Sequence, residues 1–289
     1  MLLDEIKNVL NFSAFKPDAD DSNVPWRKRF EGRKSLLMNI SRNQTSWRNY
    51  NKKGKFDESG FMDGDFADVA QQRGEEWRGL SEGGWCVVSI NHRFIISLES
   101  NLMRGDNCVS LLRTNPRAVL GPKYDRGKRY AVCHHPETTA SLLLAVEESM
   151  VKVTEDQLRA AQMKPGRVCC GLFALIEHAV LSISRAGDNG TPPNFLLIVA
   201  CEGSIAVLVQ QDGQWKDIRC RSGLGPEGVE TSLQIISPLL SKIPQGSPVY
   251  FLGDGQDGKF RSEIMAHLEK VGCVDLTQDD LLWSVIGEH

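Results

Sequence analysis

Residues 195–220 read FLLIVACEGSIAVLVQQDGQWKDIRC, and this stretch decides the fold. Its apolar and alternating segments follow one another at short spacing, which is typical of consecutive β-strands. The strands are predicted at 194–200, 204–211 and 214–220. Asp212-Gly213 stands between the last two, and this dipeptide is a strong signal for a tight hairpin. The stretch therefore predicts an antiparallel three-strand meander.

Strands and helices alternate on both sides of this meander. Strands are predicted at 141–147, 166–171, 247–252 and 272–276, and helices at 148–162, 171–183, 226–243, 259–271 and 278–286. The second of these helices carries its apolar residues at helical spacing, so that they share one face. From residue 141 the order is β-α-β-α-βββ-α-β-α-β-α. This order fits neither a simple alternating α/β chain nor a β-sandwich.

The first half of the chain is harder to interpret. A strand is predicted at 35–40, followed by a hairpin or a second meander at 42–56. The stretch 57–83 is polar and no element is predicted there. Two β-rich segments follow, whereas 101–135 shows no regular pattern. Ahead of all this, an amphipathic helix is predicted at 2–12 and an acidic linker at 17–23.

The composition is that of an ordinary globular protein of about two domains. The 289 residues are 25% charged and 41% hydrophobic, with a net charge of −3, which excludes a collagen, a coiled coil and a wholly disordered chain. No nucleic-acid partner is expected at this charge. The longest apolar run, 195–201, is far shorter than the roughly 20 residues that cross a bilayer. The opening MLLDEIKN is not typical of a secretory signal.

The eight cysteines predict no disulfide framework and no metal centre. None of them forms a CxxC pair, and several stand inside apolar runs, which favours reduced core thiols in a cytoplasmic protein. The densest group is Cys133, His134 and His135. Neighbouring residues of a strand point to opposite faces, so these three side chains do not converge on one ion.

A glycine string at 253–258, GDGQDG, allows three interpretations. Gly253, Gly255 and Gly258 follow a predicted strand and open a helix, as in a dinucleotide-binding fingerprint. That fingerprint normally opens a sheet, whereas this one lies near the end of the chain. The string is otherwise a structural turn without ligand, or the adenine-side turn of a different nucleotide fold.

The succession of elements from 141 to 289 resembles an actin-like domain of the kind found in PilM pilus-assembly proteins and in the cytoplasmic part of GspL of type II secretion. In that family a strand, helix, short strand and helix lead into a meander with a phosphate loop in its first turn, and 141–220 is similar. The segment VYFLGDG, 249–255, looks like the adenine-side turn. The resemblance implies a two-lobed actin-like (ribonuclease H-like) α/β fold. The first lobe would span 33–140 with a small inserted subdomain, the second 141–289, and 1–32 would hold the N-terminal helix and linker.

The resemblance also implies where nucleotide chemistry would be located, and the residues there depart from it. An actin-like ATPase needs an acid and glycines at each meander's first turn, to hold magnesium and cradle phosphates. In the first meander Asn39 stands where the acid is expected and Ser41 where the glycine is. In the second, Ala200 replaces the acid and Glu202 precedes Gly203 and Ser204. These residues, with Gly253, Gly255 and Gly258, would form a degraded nucleotide cleft.

A degraded cleft predicts a protein without ATPase activity, since phosphoryl transfer depends on positioning and charge neutralisation. The family resemblance then implies a non-catalytic scaffold of a type IV pilus or type II secretion-like machine. It would lie in the cytoplasm at the surface of the inner membrane and bind a segment of an inner-membrane assembly protein. This function also allows a homodimer. No cofactor is expected beyond weak ATP binding at the Gly253 turn. The alternative function is an enzyme that binds a nucleotide or dinucleotide at Gly253–Gly258.

Overall fold

The protein is described from a computed structural model, which places residues 33–53, 55–135, 137–186, 191–224, 228–255 and 259–288. The predicted helix at 2–12 and the linker at 17–23 lie outside these residues. The strands are β1 (Ser35–Ile40), β2 (Gln44–Tyr50), β3 (Phe56–Asp63), β4 (Trp85–Ile90), β5 (Phe94–Glu99), β6 (Lys128–His134), β7 (Ser141–Glu147), β8 (Lys164–Cys169), β9 (Phe195–Cys201), β10 (Ser204–Gln211), β11 (Gln214–Ser222), β12 (Val249–Leu252) and β13 (Val274–Asp275). The helices are α1 (Phe66–Leu80), α2 (Asp106–Thr114), α3 (Pro116–Leu120), α4 (Glu148–Ala160), α5 (Gly171–Ala186), α6 (Gly228–Leu240), α7 (Lys259–Leu268) and α8 (Leu281–Glu288).

Two of the sheets share one topology. The first sheet has the order β3-β2-β1-β4-β8 and the second has the order β11-β10-β9-β12-β13. In each, an antiparallel three-strand meander is followed by two strands parallel to its first strand. A third, smaller sheet, β5-β7-β6, is inserted after β4. The predicted second meander and the α/β class are both confirmed.

The first strand of each meander is buried on both faces, which explains the unbroken apolar sequence of β9 and the mostly apolar sequence of β1. In β9, Leu196, Ile198 and Ala200 face the outer helices α6 and α7, whereas the alternate residues face the middle of the molecule. In β1, Leu36 and Met38 face α1 and α4 in the same way. Successive side chains of a strand point to opposite faces, so one strand contributes to two cores.

Helices α5 and α8 lie between the two sheets and form the central core. Buried residues of α5, α8, β1 and β9 belong to one hydrophobic cluster. α8 comes from the end of the chain and packs on the first sheet, since a Cβ on Gly287 would lie 3.2 Å from Leu37 Cδ1. The two halves are therefore joined by helices on the inner face of each sheet.

The structure corrects the interpretation of the first half at two places. The polar stretch 57–83 contains most of β3 and the 15-residue helix α1, whose Asp65 caps the first turn by accepting a hydrogen bond from Ala67 N. α1 was missed because few of its residues are apolar; Val69, Ala70 and Trp77 form its buried face. The stretch 101–135 contains α2, α3 and β6.

The sequence suggested a boundary between the two lobes at residue 140. In the structure, the chain enters the second sheet later than this residue. β7 pairs with β5 and β6 in the inserted sheet, and β8 pairs in parallel with β4 of the first sheet. α4 connects β7 to β8 and thereby brings the chain back to the first sheet. The second sheet begins only at Phe195, after the central helix α5.

No helix among the described residues is long and apolar enough to cross a membrane.

Glu177, on the central helix α5, leads us to predict that the stability of the protein depends on pH. Burial raises the pKa of Glu177 to about 7, against the opposing charge of Arg167. Because the native state then binds a proton more tightly than the unfolded chain, the free energy of unfolding should fall as the pH rises from about 4.5 through 7. In the Glu177→Gln variant, this fall in the free energy of unfolding should be smaller by roughly 1–3 kcal/mol. Urea titrations of the unchanged protein and of Glu177→Gln between pH 4.5 and 8 measure this difference. If the free energy of unfolding of the two proteins changes with pH in parallel, the prediction is wrong.

Candidate functional site

The first turns of the two meanders meet between the sheets. β1 and β9 end at the same edge of the molecule, which places Asn39 opposite Glu202. Asn39 Nδ2 donates to Glu202 Oε2 at 2.7 Å, and Ser46 Oγ donates to Glu202 Oε1 at 3.3 Å. One carboxylate from the second half is thus held by two donors from the first half. Hydrogen bonds to a carboxylate are charge-assisted and stronger than neutral ones.

Asn91, which the sequence interpretation missed, connects these turns to the central helix. Its side-chain Nδ2 donates to Asn39 Oδ1 and to Cys201 Sγ, the latter at 3.2 Å, and its Oδ1 accepts from Leu172 N at 3.0 Å. Its backbone oxygen accepts from Ser204 Oγ. Asn91 is 1% exposed. A polar residue directly after the buried strand β4 was the signal available in the sequence.

The other two residues predicted at the turns serve the turns themselves. Ser41 closes the β1–β2 turn through bonds from its N–H and Oγ to Gln44 O, at 2.9 and 3.1 Å. Gly203 has a φ of +66°, and a Cβ there would lie 3.2 Å from Leu224 O. Gly203 O accepts from Leu224 N at 2.8 Å. Glycine is needed at 203 for the turn and for this close approach.

The glycine turn after β12 packs against the chain's own C-terminal segment. Gly253 N donates to Thr277 Oγ1 at 2.7 Å. Gly255 has a φ of +83°, and a Cβ there would lie 2.4 Å from Gln278 O and 2.5 Å from Leu281 N. Both glycines therefore have an explanation in the packing of residues 277–281. Gly258 lies outside the described residues.

Asp254, between those glycines, joins this turn to the meander. Its Oδ2 accepts from Glu202 N at 3.0 Å, and its backbone oxygen accepts from Leu282 N at 2.9 Å. The backbone amide of Glu202 thus points to a carboxylate of the same chain. The structure brings together Asn39, Glu202 and Ser204 as one hydrogen-bonded group and links it to Gly253 and Gly255 through Asp254.

A salt bridge closes the rim of the site. Arg48 Nη2 lies 2.5 Å from Asp280 Oδ1, and the Arg48 guanidinium lies over the rings of Phe56 and Trp283, with centroid distances of 5.5 and 5.8 Å. Asp280 precedes α8, so this contact fixes the C-terminal segment to β2. No group of three or more His, Cys, Asp or Glu side chains within the described part of the chain is placed to hold a metal ion.

A cleft of about 810 Å³ opens beside the two turns. Its walls come from the β1–β2 and β4–β5 turns, from α4, from residues 221–224 at the end of β11 and from the start of α6. Arg42, Arg93 and Arg221 line it, together with His92. Burial is the main cause of a lowered pKa at His92, with Arg93 and Arg42 acting in the same sense, so the imidazole is neutral near pH 7.

Comparisons with known proteins identify the fold. No family model and no curated protein sequence matches the chain. A protein of Bacteroides thetaiotaomicron with an actin-like ATPase fold is 12% identical, with a TM-score of 0.54, over 90% of this chain and 96% of that one. A chain of the PilM–PilN type IV pilus biogenesis complex is 12% identical, with a TM-score of 0.54, over 87% of this chain and 89% of that one. The cytoplasmic domain of EpsL, an inner-membrane component of the type II secretion system of Vibrio cholerae, is 11% identical, with a TM-score of 0.47, over 82% and 95%.

The protein therefore has a two-lobed actin-like fold, as the order of its elements predicted. The paired meanders, the helices between the sheets and the meeting of the two first turns are the parts of that fold on which the site depends. The resemblance inferred from the sequence is confirmed at the level of fold.

The packing of the glycine turn predicts unequal costs for two alanine substitutions. Gly213 and Gly255 both have positive φ, but a Cβ at Gly213 has no heavy atom within 4 Å. Gly255→Ala should therefore lower the free energy of unfolding by about 1–3 kcal/mol more than Gly213→Ala, since only the former also clashes with backbone atoms. Urea denaturation compares them. Equal costs would mean that the space beside Gly255 is open to a ligand.

The carboxylate of Glu202, between the turns, predicts a second difference in the free energy of unfolding between variants. Glu202→Ala leaves the amide of Asn39 without its acceptor and should lower the free energy of unfolding by about 1–3 kcal/mol. Glu202→Gln keeps an acceptor oxygen and should cost less. Glu75 has a side chain that is 95% exposed, so Glu75→Ala serves as the control and should change stability by less than about 0.5 kcal/mol. If Glu202→Ala matches this control, the bonds to Glu202 do not hold the two turns together.

Proposed function

We propose that this protein is a non-catalytic assembly scaffold of a type IV pilus or type II secretion-like machine. The observation that carries the proposal is the hydrogen-bonded group at the meander turns, where Glu202 is bound by Asn39 and Ser46. This is the place where an actin-like ATPase would need magnesium and phosphates.

Three features support the absence of phosphoryl transfer. Asn39 is neutral and Ala200 has no polar group, so neither of the two positions expected to hold magnesium carries an acid. The carboxylate of Glu202 adds negative charge where a polyphosphate would need positive charge. The backbone amide of Glu202 and that of Gly253 are already bonded to Asp254 and Thr277. We therefore expect neither catalysis nor a required cofactor.

An assembly role is supported by the fold and by what the chain offers a partner. The PilM–PilN complex contains a chain of the same fold. Both large sheets of this protein end in edge strands, and Phe61 on the edge strand β3 is 68% exposed. Short segments of other proteins bind to such edges and grooves without any catalytic group. The proposed partner is a segment of an inner-membrane assembly protein, met in the cytoplasm at the membrane surface, with homodimerisation as a second contact.

Nucleotide titration tests the non-catalytic half of the proposal. ATP and NAD are titrated into the protein with Mg²⁺ by calorimetry, and phosphate release is followed in parallel. We expect no turnover, no heat with NAD and at most weak heat with ATP. Saturable NAD binding that Gly255→Ala abolishes, or Mg²⁺-dependent ATP turnover, would favour the alternative, an enzyme built on the Gly253–Gly258 loop.

Partner mapping tests the assembly half. A bacterial two-hybrid screen pairs the chain with the cytoplasmic segment of each inner-membrane pilus or secretion protein encoded in the same genome, and deletion strains are scored for pili and secreted protein. We expect one positive segment and loss of the surface structure or of secretion. A deletion strain with normal pili and normal secretion would contradict the proposal.

A further inference from the structure

The cleft beside the meander turns carries positive charge that no described residue neutralises. Arg42, Arg93 and Arg221 come from three separate elements, and none has an ion-pair or hydrogen-bond partner within the described part of the chain. Of the described residues that line the cleft, Asp65 is the one acid, and its Oδ1 already accepts from Ala67 N at 2.9 Å. Guanidinium groups pair best with carboxylates or phosphates, often through two parallel hydrogen bonds.

Two of these arginines have local structure that places them at the cleft. Arg93 has a φ of +54°, a conformation that side chains other than those of Gly, Asn and Asp seldom adopt. Arg42 extends from the β1–β2 turn to the opposite half, where its Cδ would lie 3.7 Å from a Cβ on Gly223. Next to them the Nδ1 of His92 is buried without a hydrogen-bond partner. The charged groups are thus distributed on both sides of the cleft.

One wall of the cleft is long and partly apolar. α4 contributes Met150, Val153 and Gln157, and Val153 is 53% exposed although it faces the cleft. These positions span about 10 Å along the helix, a length that about three residues of extended chain would cover. Leu224 lies on the opposite wall. An elongated groove with apolar sides and three separated cations suits a peptide that alternates acidic and apolar residues, whereas one phosphate group would leave most of it empty.

We propose that this cleft binds an acidic, extended segment of a protein partner. Carboxylates of the segment pair with Arg42, Arg93 and Arg221, and an apolar side chain packs on Val153. The identification of that partner as an assembly protein rests on the function proposed above, whereas the chemistry of the cleft does not.

A displayed library of random heptapeptides, selected on the full chain and sequenced, tests this directly. We expect enriched peptides to contain at least two Asp or Glu with an apolar residue between them. The best peptide, labelled with fluorescein, should bind at least tenfold more weakly to Arg42→Gln and to Arg221→Gln, and its affinity should fall with added salt. The matched control is Arg117→Gln, an exposed arginine on α3, which should bind as the unchanged protein does. Thermal unfolding confirms that each variant is folded.

Four results would overturn the inference. Two come from the selection: no peptide is enriched, or the enriched peptides contain no acids. The other two come from binding: Arg42→Gln and Arg117→Gln bind the peptide equally, or sodium triphosphate displaces the peptide at lower concentration than acidic peptides do. The last would make it a phosphate site. Acidic-peptide binding together with a deletion strain that assembles normal pili would reject the assembly function alone.

Discussion

The arrangement of the molecule depends on one carboxylate held between two β-turns. Glu202 comes from the second meander, and its oxygens accept from Asn39 and Ser46 of the first. Buried polar groups are costly unless they are bonded, and here each polar group satisfies another. The bonds therefore require that the two turns stay together. Removing the Glu202 carboxylate would leave the amide of Asn39, which is 0% exposed, without this acceptor.

This mutual satisfaction supports the proposal that the site does not depend on a ligand. A cleft built for a polyphosphate presents donors that remain without partners until the ligand arrives. Here the corresponding donors are used: Glu202 N by Asp254, Gly253 N by Thr277 and the amide of Asn39 by Glu202. Asn91 adds bonds to β9 and to the start of α5, so the first sheet, the second sheet and the central helix meet at one buried side chain. Order at this point needs no bound molecule.

Sequence pattern predicted the fold where periodicity is strong and failed where tertiary contacts decide. β9 is a continuous apolar run, β1 and β10 are largely apolar, and both Asp212 and Gly213 have the positive φ that the hairpin signal requires. α1 was missed because only a narrow face around Trp77 is buried and the rest of the helix is polar. Sheet membership of β8 follows from a crossover through α4, which local sequence does not encode.

The same division applies to the site. Asn39, Glu202 and Gly253 were named through the family resemblance, which assigns roles to the residues at the ends of particular strands. Asn91 also follows a buried strand, but the resemblance gives that position no role, and its bonds are to groups more than 50 residues away in the chain. The arginines of the cleft could not be predicted either, since Arg42, Arg93 and Arg221 are ordinary surface charges in the sequence and become a group only when the two halves close.

At the turns, polar groups are hydrogen-bonded to one another, whereas in the cleft three arginines have no partner among the described residues. A ligand would therefore gain different contacts in the two places. At the turns the backbone amides of Glu202 and Gly253 and the side-chain amide of Asn39 are already bonded within the protein, so a ligand that used them would have to break these bonds before forming its own. In the cleft, Arg42, Arg93 and Arg221 have no partner among the described residues and would gain a charged one without losing a bond. This difference supports the proposal that a protein of this fold with bonded turns and a charged groove holds another chain rather than turning over a nucleotide.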